Sequence, residues 1–111
     1  MAHSHLTGEF VDVPVQQLTD AALLSGLLIA AASSVGLSST QPPIVRQQRE
    51  GGVSAALVFQ GSHIIVHALP EQRLLLFDIL TPASHDFRKA LDVFSRRLTA
   101  REVHSDTRTR G

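Results

Sequence analysis

The sequence predicts an α+β fold, a two-layer α/β sandwich in which two helices cover one face of an antiparallel sheet, in the order β-α-β-β-β-β-α-β. Three observations lead there. Segments with period-two alternation outnumber those with helical spacing. The middle strands are joined by connections too short for a parallel crossover. The chain has 111 residues, 43% hydrophobic and 18% charged, which is enough for one core and too apolar for a disordered chain. A single domain over residues 1–111 is expected.

His5 to Val13 alternates as a strand, with Leu6, Gly8 and Phe10 on one face and His5, Thr7 and Glu9 on the other. Pro14 closes it. Thr19 is placed as the N-cap of the first helix, Leu18 and Leu23 as its hydrophobic staple, and Asp20 in the favourable first turn. Leu23, Leu24, Leu27, Leu28, Ala31 and Val35 recur at helical spacing, and Gly36 stops the helix. Ser38 to Pro43 is a turn-rich connection, and Ile44 to Arg49 a short exposed strand. Val53, Ala55, Leu57 and Phe59 share a strand face, and Gln60-Gly61-Ser62 reads as a tight turn. His63 to Leu69 is a β-branched strand ended by Pro70, and Leu74 to Leu80 a further strand ended by Thr81-Pro82. Ser84 caps a second helix carrying Phe87, Ala90, Leu91, Phe94 and Leu98, and Arg101 to Thr107 returns as an edge strand.

Composition removes several function classes. Ten basic and ten acidic residues cancel, so general nucleic-acid affinity is not expected. The absence of cysteine excludes disulfides, thiolate zinc sites and thiol catalysis. Arg96, Arg97, Arg101, Arg108 and Arg110 read as a solvated helix face followed by a frayed tail. The N-terminal residues have no basic flank or apolar run, and Ala21 to Val35 is shorter than the ~20 residues of a membrane span. A soluble, cytoplasmic protein with no membrane partner is expected.

Six histidines raise the question of a metal. His63 and His67 are four apart, but on a strand that separates them by ~13 Å, too far for one ion. His3 and His5 read as a frayed terminus, so no metal is expected. Gly61-Ser62 has two readings. One is an ordinary turn residue. The other is self-cleavage, in which the Ser62 hydroxyl attacks the Gly61 carbonyl, an ester forms, and β-elimination leaves a pyruvoyl group at a new N-terminus. Glycine permits the strained backbone such a step needs.

The stretch Ser62-His63-Ile64-Ile65-Val66-His67-Ala68-Leu69-Pro70-Glu71 matches the pattern Ser-His-x-x-x-His-x-x-Pro-Glu, and His5-Leu6-Thr7-Gly8-Glu9-Phe10 matches His-Leu-x-x-Glu-Phe. With Phe77-Asp78-Ile79-Leu80-Thr81 and Val103-His104, these segments make the chain resemble the short prokaryotic S-adenosylmethionine decarboxylases, pyruvoyl enzymes of polyamine synthesis. The resemblance implies that Ser62 becomes the pyruvoyl cofactor, that His67 and Ser54 assist processing, and that Glu71 and Ile64 bind substrate. It also implies a homodimer with composite active sites. Ser62 and His67 lie ~16 Å apart along one strand and cannot touch there; the resemblance implies that Ser62 of one subunit faces Ser54, His67 and Glu71 of the other. The pyruvoyl carbonyl would take the substrate amine as a Schiff base and accept the electrons released with CO2.

Four positions depart from the family. Gly61 stands where glutamate is usual before the serine, a change that leaves cleavage feasible because other pyruvoyl enzymes cut at Gly-Ser. Pro82 replaces the proton-returning cysteine, leaving Ser84 or His85 as replacement donors. Gln48 replaces the aromatic that stacks on adenine, and Leu69 replaces a tryptophan. Each lost stack is worth ~1–3 kcal/mol. Adenosylmethionine is the substrate that the resemblance implies. The departures leave open a decarboxylase retuned for ornithine or arginine, or a non-catalytic dimeric homologue. Without the resemblance, His67 is a packed strand histidine, Ser54 edge polarity and Glu71 a solvated turn residue.

Overall fold

Strand alternation decides the architecture in the computed structural model, which describes residues 2–38, 41–49 and 51–111. Strands β1 (His3–Val11), β2 (Ile44–Gln47), β3 (Val53–Phe59), β4 (Ser62–Leu69), β5 (Leu74–Pro82) and β6 (Glu102–Arg110) form one sheet in the order β2-β3-β4-β5-β1-β6. Every adjacent pair is antiparallel. One face carries Leu6, Phe10, Val53, Ala55, Leu57, Ile64, Val66, Leu75, Phe77 and Ile79, all buried beneath the helices. The expected two-layer sandwich is what the chain forms.

Three helices occur among the described residues: α1 (Val15–Leu18), α2 (Ala21–Ser34) and α3 (Arg88–Arg97). The N-cap of α2 is Asp20, whose carboxylate accepts from the Leu23 N–H at 3.0 Å. Thr19 was the expected cap. It is instead spent on closing α1, where its hydroxyl donates to the Val15 carbonyl at 3.0 Å. Gly36, at φ 80°, ends α2 in a Schellman turn, with Leu37 N–H donating to Ala32 O and Gly36 N–H to Ser33 O. Helix α3 packs Phe94 over the sheet, its ring 5.2 Å from Phe77 and 6.4 Å from Phe10.

Four expected boundaries move. Strand β5 runs through Thr81 and Pro82, with Pro82 opposite His3 and beyond the end of β4, where a missing N–H breaks no inner ladder. Ser84 does not cap α3, because residues 83–86 form a turn and the helix starts at Arg88 behind Phe87. The C-terminal arginines are not a frayed tail: β6 pairs with β1 from Val11↔Glu102 to His3↔Arg110. That same pairing makes His3 and His5 part of a strand rather than a loose terminus. Of the Ser38–Pro43 connection, Ser39 and Thr40 lie outside the described residues.

Candidate active site

The uncovered face of the sheet is built by the other half of each alternating strand: His5, Thr7 and Glu9 on β1, Ser54 on β3, Ile65 and His67 on β4, and Leu76, Asp78 and Leu80 on β5. The antiparallel order puts two sets of polar residues at opposite ends of the sheet.

At one end, Phe59 pairs with Ser62, so Gln60 and Gly61 alone make the turn between β3 and β4. Gly61 has φ 73°, a region that an L side chain enters at a cost of ~1–2 kcal/mol. Ser62 follows on the helix side of β4, 6% exposed. Continuing the β4–β5 register by one residue sets Ser62 opposite Thr81. The Thr81 hydroxyl is fully buried and lacks a hydrogen-bond partner. Such an orphan costs ~1–3 kcal/mol unless something binds it. The turn after β5 holds Ser84 and His85. The His85 imidazole is hydrogen-bonded through Nδ1 to the Val35 carbonyl at 2.6 Å, which ties this turn to the end of α2.

At the other end, β3 and β4 place Ser54 directly opposite His67. The Ser54 hydroxyl is 2.7 Å from Nδ1 of His67. Past β4, Pro70–Gln72 forms one 3₁₀ turn, which carries Glu71 on the surface. Ser54, Glu71, Gln48 and Leu69 share a concavity of about 290 Å³ with Gly52, Ala68, Pro70 and Gln72, and no aromatic side chain lines it. A broader concavity of about 480 Å³ runs over the open face past His67, Ile65, Leu76, Asp78 and Glu9.

The structure therefore brings Ser54 and His67 together and sets Glu71 beside Ser54. It holds Ser62 apart from them, at the far end of β4 and on the opposite face. Ile64 is fully buried in the core on the helix side. The structure also assembles a group that the sequence pattern did not reveal. His5 and His63 each bring Nε2 to Oδ1 of Asp78, at 3.0 and 2.8 Å. Their shared face was readable from alternation. Their adjacency depends on β5 lying between β4 and β1, which alternation does not encode.

Comparison with known proteins bears on the fold and the family. The family model described as S-adenosylmethionine decarboxylase matches residues 4–111. A curated relative, the arginine decarboxylase proenzyme of Aeropyrum pernix, is 32% identical over 105 residues, covering 88% of this chain and 76% of that one. The crystal structure of the adenosylmethionine decarboxylase from Aquifex aeolicus VF5 superposes with a TM-score of 0.87 at 19% identity, over 98% of this chain and 90% of that one. That likeness speaks for the fold; the sequence match over nearly the full length places the chain in the S-adenosylmethionine decarboxylase family.

Proposed function

We propose that the chain is a proenzyme that cuts its own Gly61–Ser62 bond and works as a homodimer. In this reading it decarboxylates a small amine-bearing amino acid, arginine foremost, as a step of polyamine biosynthesis in the cytoplasm. The observation that carries the reading is the division of one chemical apparatus between two ends of the sheet: a serine after a positive-φ glycine, and a hydrogen-bonded Ser54–His67 pair that it cannot reach within its own chain. A second copy packed on the open face joins them. The apolar side chains there, among them Ile65, Leu69, Leu74, Leu76 and the 62%-exposed Val58, suit such a partner.

In the cleavage step, the Ser62 oxygen bonds to the Gly61 carbonyl carbon while the peptide C–N bond breaks, giving an ester and a free amine. Removal of the residue-62 α-proton then expels the Gly61 carboxylate. Water converts the remaining dehydroalanine to a keto-acyl terminus with loss of ammonia. His67 of the second subunit takes that proton. For Nε2 to be the base, Nδ1 must carry a proton and donate it to the Ser54 oxygen, so Ser54 fixes the productive tautomer.

The residues fit a pyruvoyl group at position 62. Thr81, with its unpartnered hydroxyl across the strand, supplies a donor for a carbonyl oxygen formed there. Such a group supplies an electrophilic carbonyl for the substrate amine and an electron sink for loss of CO2. The chain's own contribution is to orient the substrate and return a proton, a task that Pro82 cannot perform and that falls to Ser84 or His85 in the adjoining turn.

Arginine is favoured by the concavity at Glu71, where Gln48 and Leu69 offer no aromatic face for adenine and the carboxylate complements a guanidinium. The printed name of the Aeropyrum pernix relative points the same way. Adenosylmethionine remains the second reading, favoured by the family model that the chain matches. Carbon dioxide release from carboxyl-labelled arginine, ornithine and adenosylmethionine separates them. Arginine is expected to turn over fastest, and a clear preference for adenosylmethionine would overturn the assignment.

A further inference from the structure

The decarboxylation scheme leaves one cluster unused. His5 on β1, His63 on β4 and Asp78 on β5 stand on three adjacent central strands, with β5 in the middle. Both imidazoles aim Nε2 at the same carboxylate oxygen, at 3.0 and 2.8 Å, and their rings meet edge to face with centroids 6.4 Å apart. One ligand atom from each residue lies within 4.8 Å of the others. The side chains are 20–36% exposed, half sheltered on rigid strands rather than loops. Two imidazoles and one carboxylate are the donor set of a borderline divalent transition cation, whereas magnesium and calcium demand oxygen shells. Tetrahedral bonds of ~2.0–2.1 Å need donor atoms ~3.3 Å apart, a spacing within reach of side-chain rotation here.

A concavity of about 460 Å³ opens beside the cluster, lined in part by His3, His5, Gly61, His63 and Arg110. It leaves room for a fourth ligand. We propose that His5, His63 and Asp78 bind a zinc-class divalent cation, with an open coordination position facing this concavity beside the Gly61 turn. The site goes beyond the decarboxylase reading and does not depend on cleavage. Where cleavage occurs, the ion would tie together the two resulting chains, since His5 precedes the cut and the other two ligands follow it.

The arrangement carries its own signature. Arg110 donates from Nε to Nδ1 of His5 at 3.3 Å. A cation on Nε2 leaves the proton of the neutral ring on Nδ1, so this contact must open. Arg110 therefore competes with the metal, and its removal strengthens binding.

Titration calorimetry with Zn²⁺ on the full chain, and on an uncut Ser62→Ala chain, tests the site. Both should bind one ion per chain with equal affinity. His5→Gln, His63→Gln and Asp78→Asn should each weaken binding by ~100-fold or more. His104→Gln should leave it unchanged, and Arg110→Gln should tighten it several-fold. Where a variant fails to fold, the unmutated chain decides: intense visible bands of tetrahedral Co²⁺ support the site, and their absence at saturating Co²⁺ overturns it. A folded His5→Gln or Asp78→Asn chain that binds zinc as tightly as the parent also overturns it.

Discussion

Asp12 shows how much a single residue can be asked to do. It leaves β1 at φ 61°, outside the range most side chains prefer, and holds that turn with its carboxylate. Oδ2 accepts from Arg101 Nε at 2.7 Å and Oδ1 lies 3.6 Å from Arg73 Nε. The Arg101 hydrogen bond is the main cause that holds the Asp12 carboxyl below its ordinary value. A lowered folded pKa means stability that is present in full above the ordinary carboxylate value near ~3.9. It is lost as pH falls through the lower folded value. Asp12→Asn should therefore flatten the loss of stability between about pH 5 and pH 2 relative to the parent, read as urea midpoints. Added salt should shrink the difference, because the pair is exposed. At this scale the candidate site was largely legible. Ser62, His67 and Glu71 stand at fixed spacings in one segment, and Ser54 one strand earlier. Asp78 and His5 were not, because residues 73 positions apart become neighbours only through strand order.

Among the elements, alternation located β1, β3, β4 and β5 because each buries one face and leaves the other open. Strand β6 was legible only in part: an edge strand was expected from Arg101 to Thr107, and it runs from Glu102 to Arg110. All nine of its residues are exposed, so no apolar rhythm marks where it ends, and Arg108 and Arg110 read as a tail. The helix starts were missed for a related reason. Capping preferences cannot say that α1 will use Thr19 before α2 begins, or that Pro82 will stay in a strand beyond the end of β4, where its missing N–H breaks no ladder. What secures α3 is its apolar side. Phe94 is fully buried between Phe10 and Phe77. Phe94→Ala should cost about 3–5 kcal/mol in chemical denaturation. The same substitution should leave the zinc affinity of the folded protein unchanged, because the cluster lies on the other face of the sheet.

The whole molecule is an open sandwich, and in the proposed reading its chemistry is complete only when two copies meet. Mixed-subunit experiments read that directly. Ser62→Ala and His67→Ala chains, each inactive alone, should recover activity when co-expressed, because a mixed dimer rebuilds one of its two sites. Random pairing limits recovery to roughly a quarter of the parental value. Recovery fails if each chain carries a complete site of its own.

Everything in the decarboxylase reading requires the Gly61–Ser62 bond to break unaided, and the intact mass of purified protein after prolonged incubation measures this most directly. Two fragments are expected, residues 1–61 and 62–111, the second blocked to Edman degradation by its keto-acyl terminus, and an unbroken chain for Ser62→Ala. A parent protein that remains one full-length species in its assembled form would contradict it and leave a folded, inert member of the family.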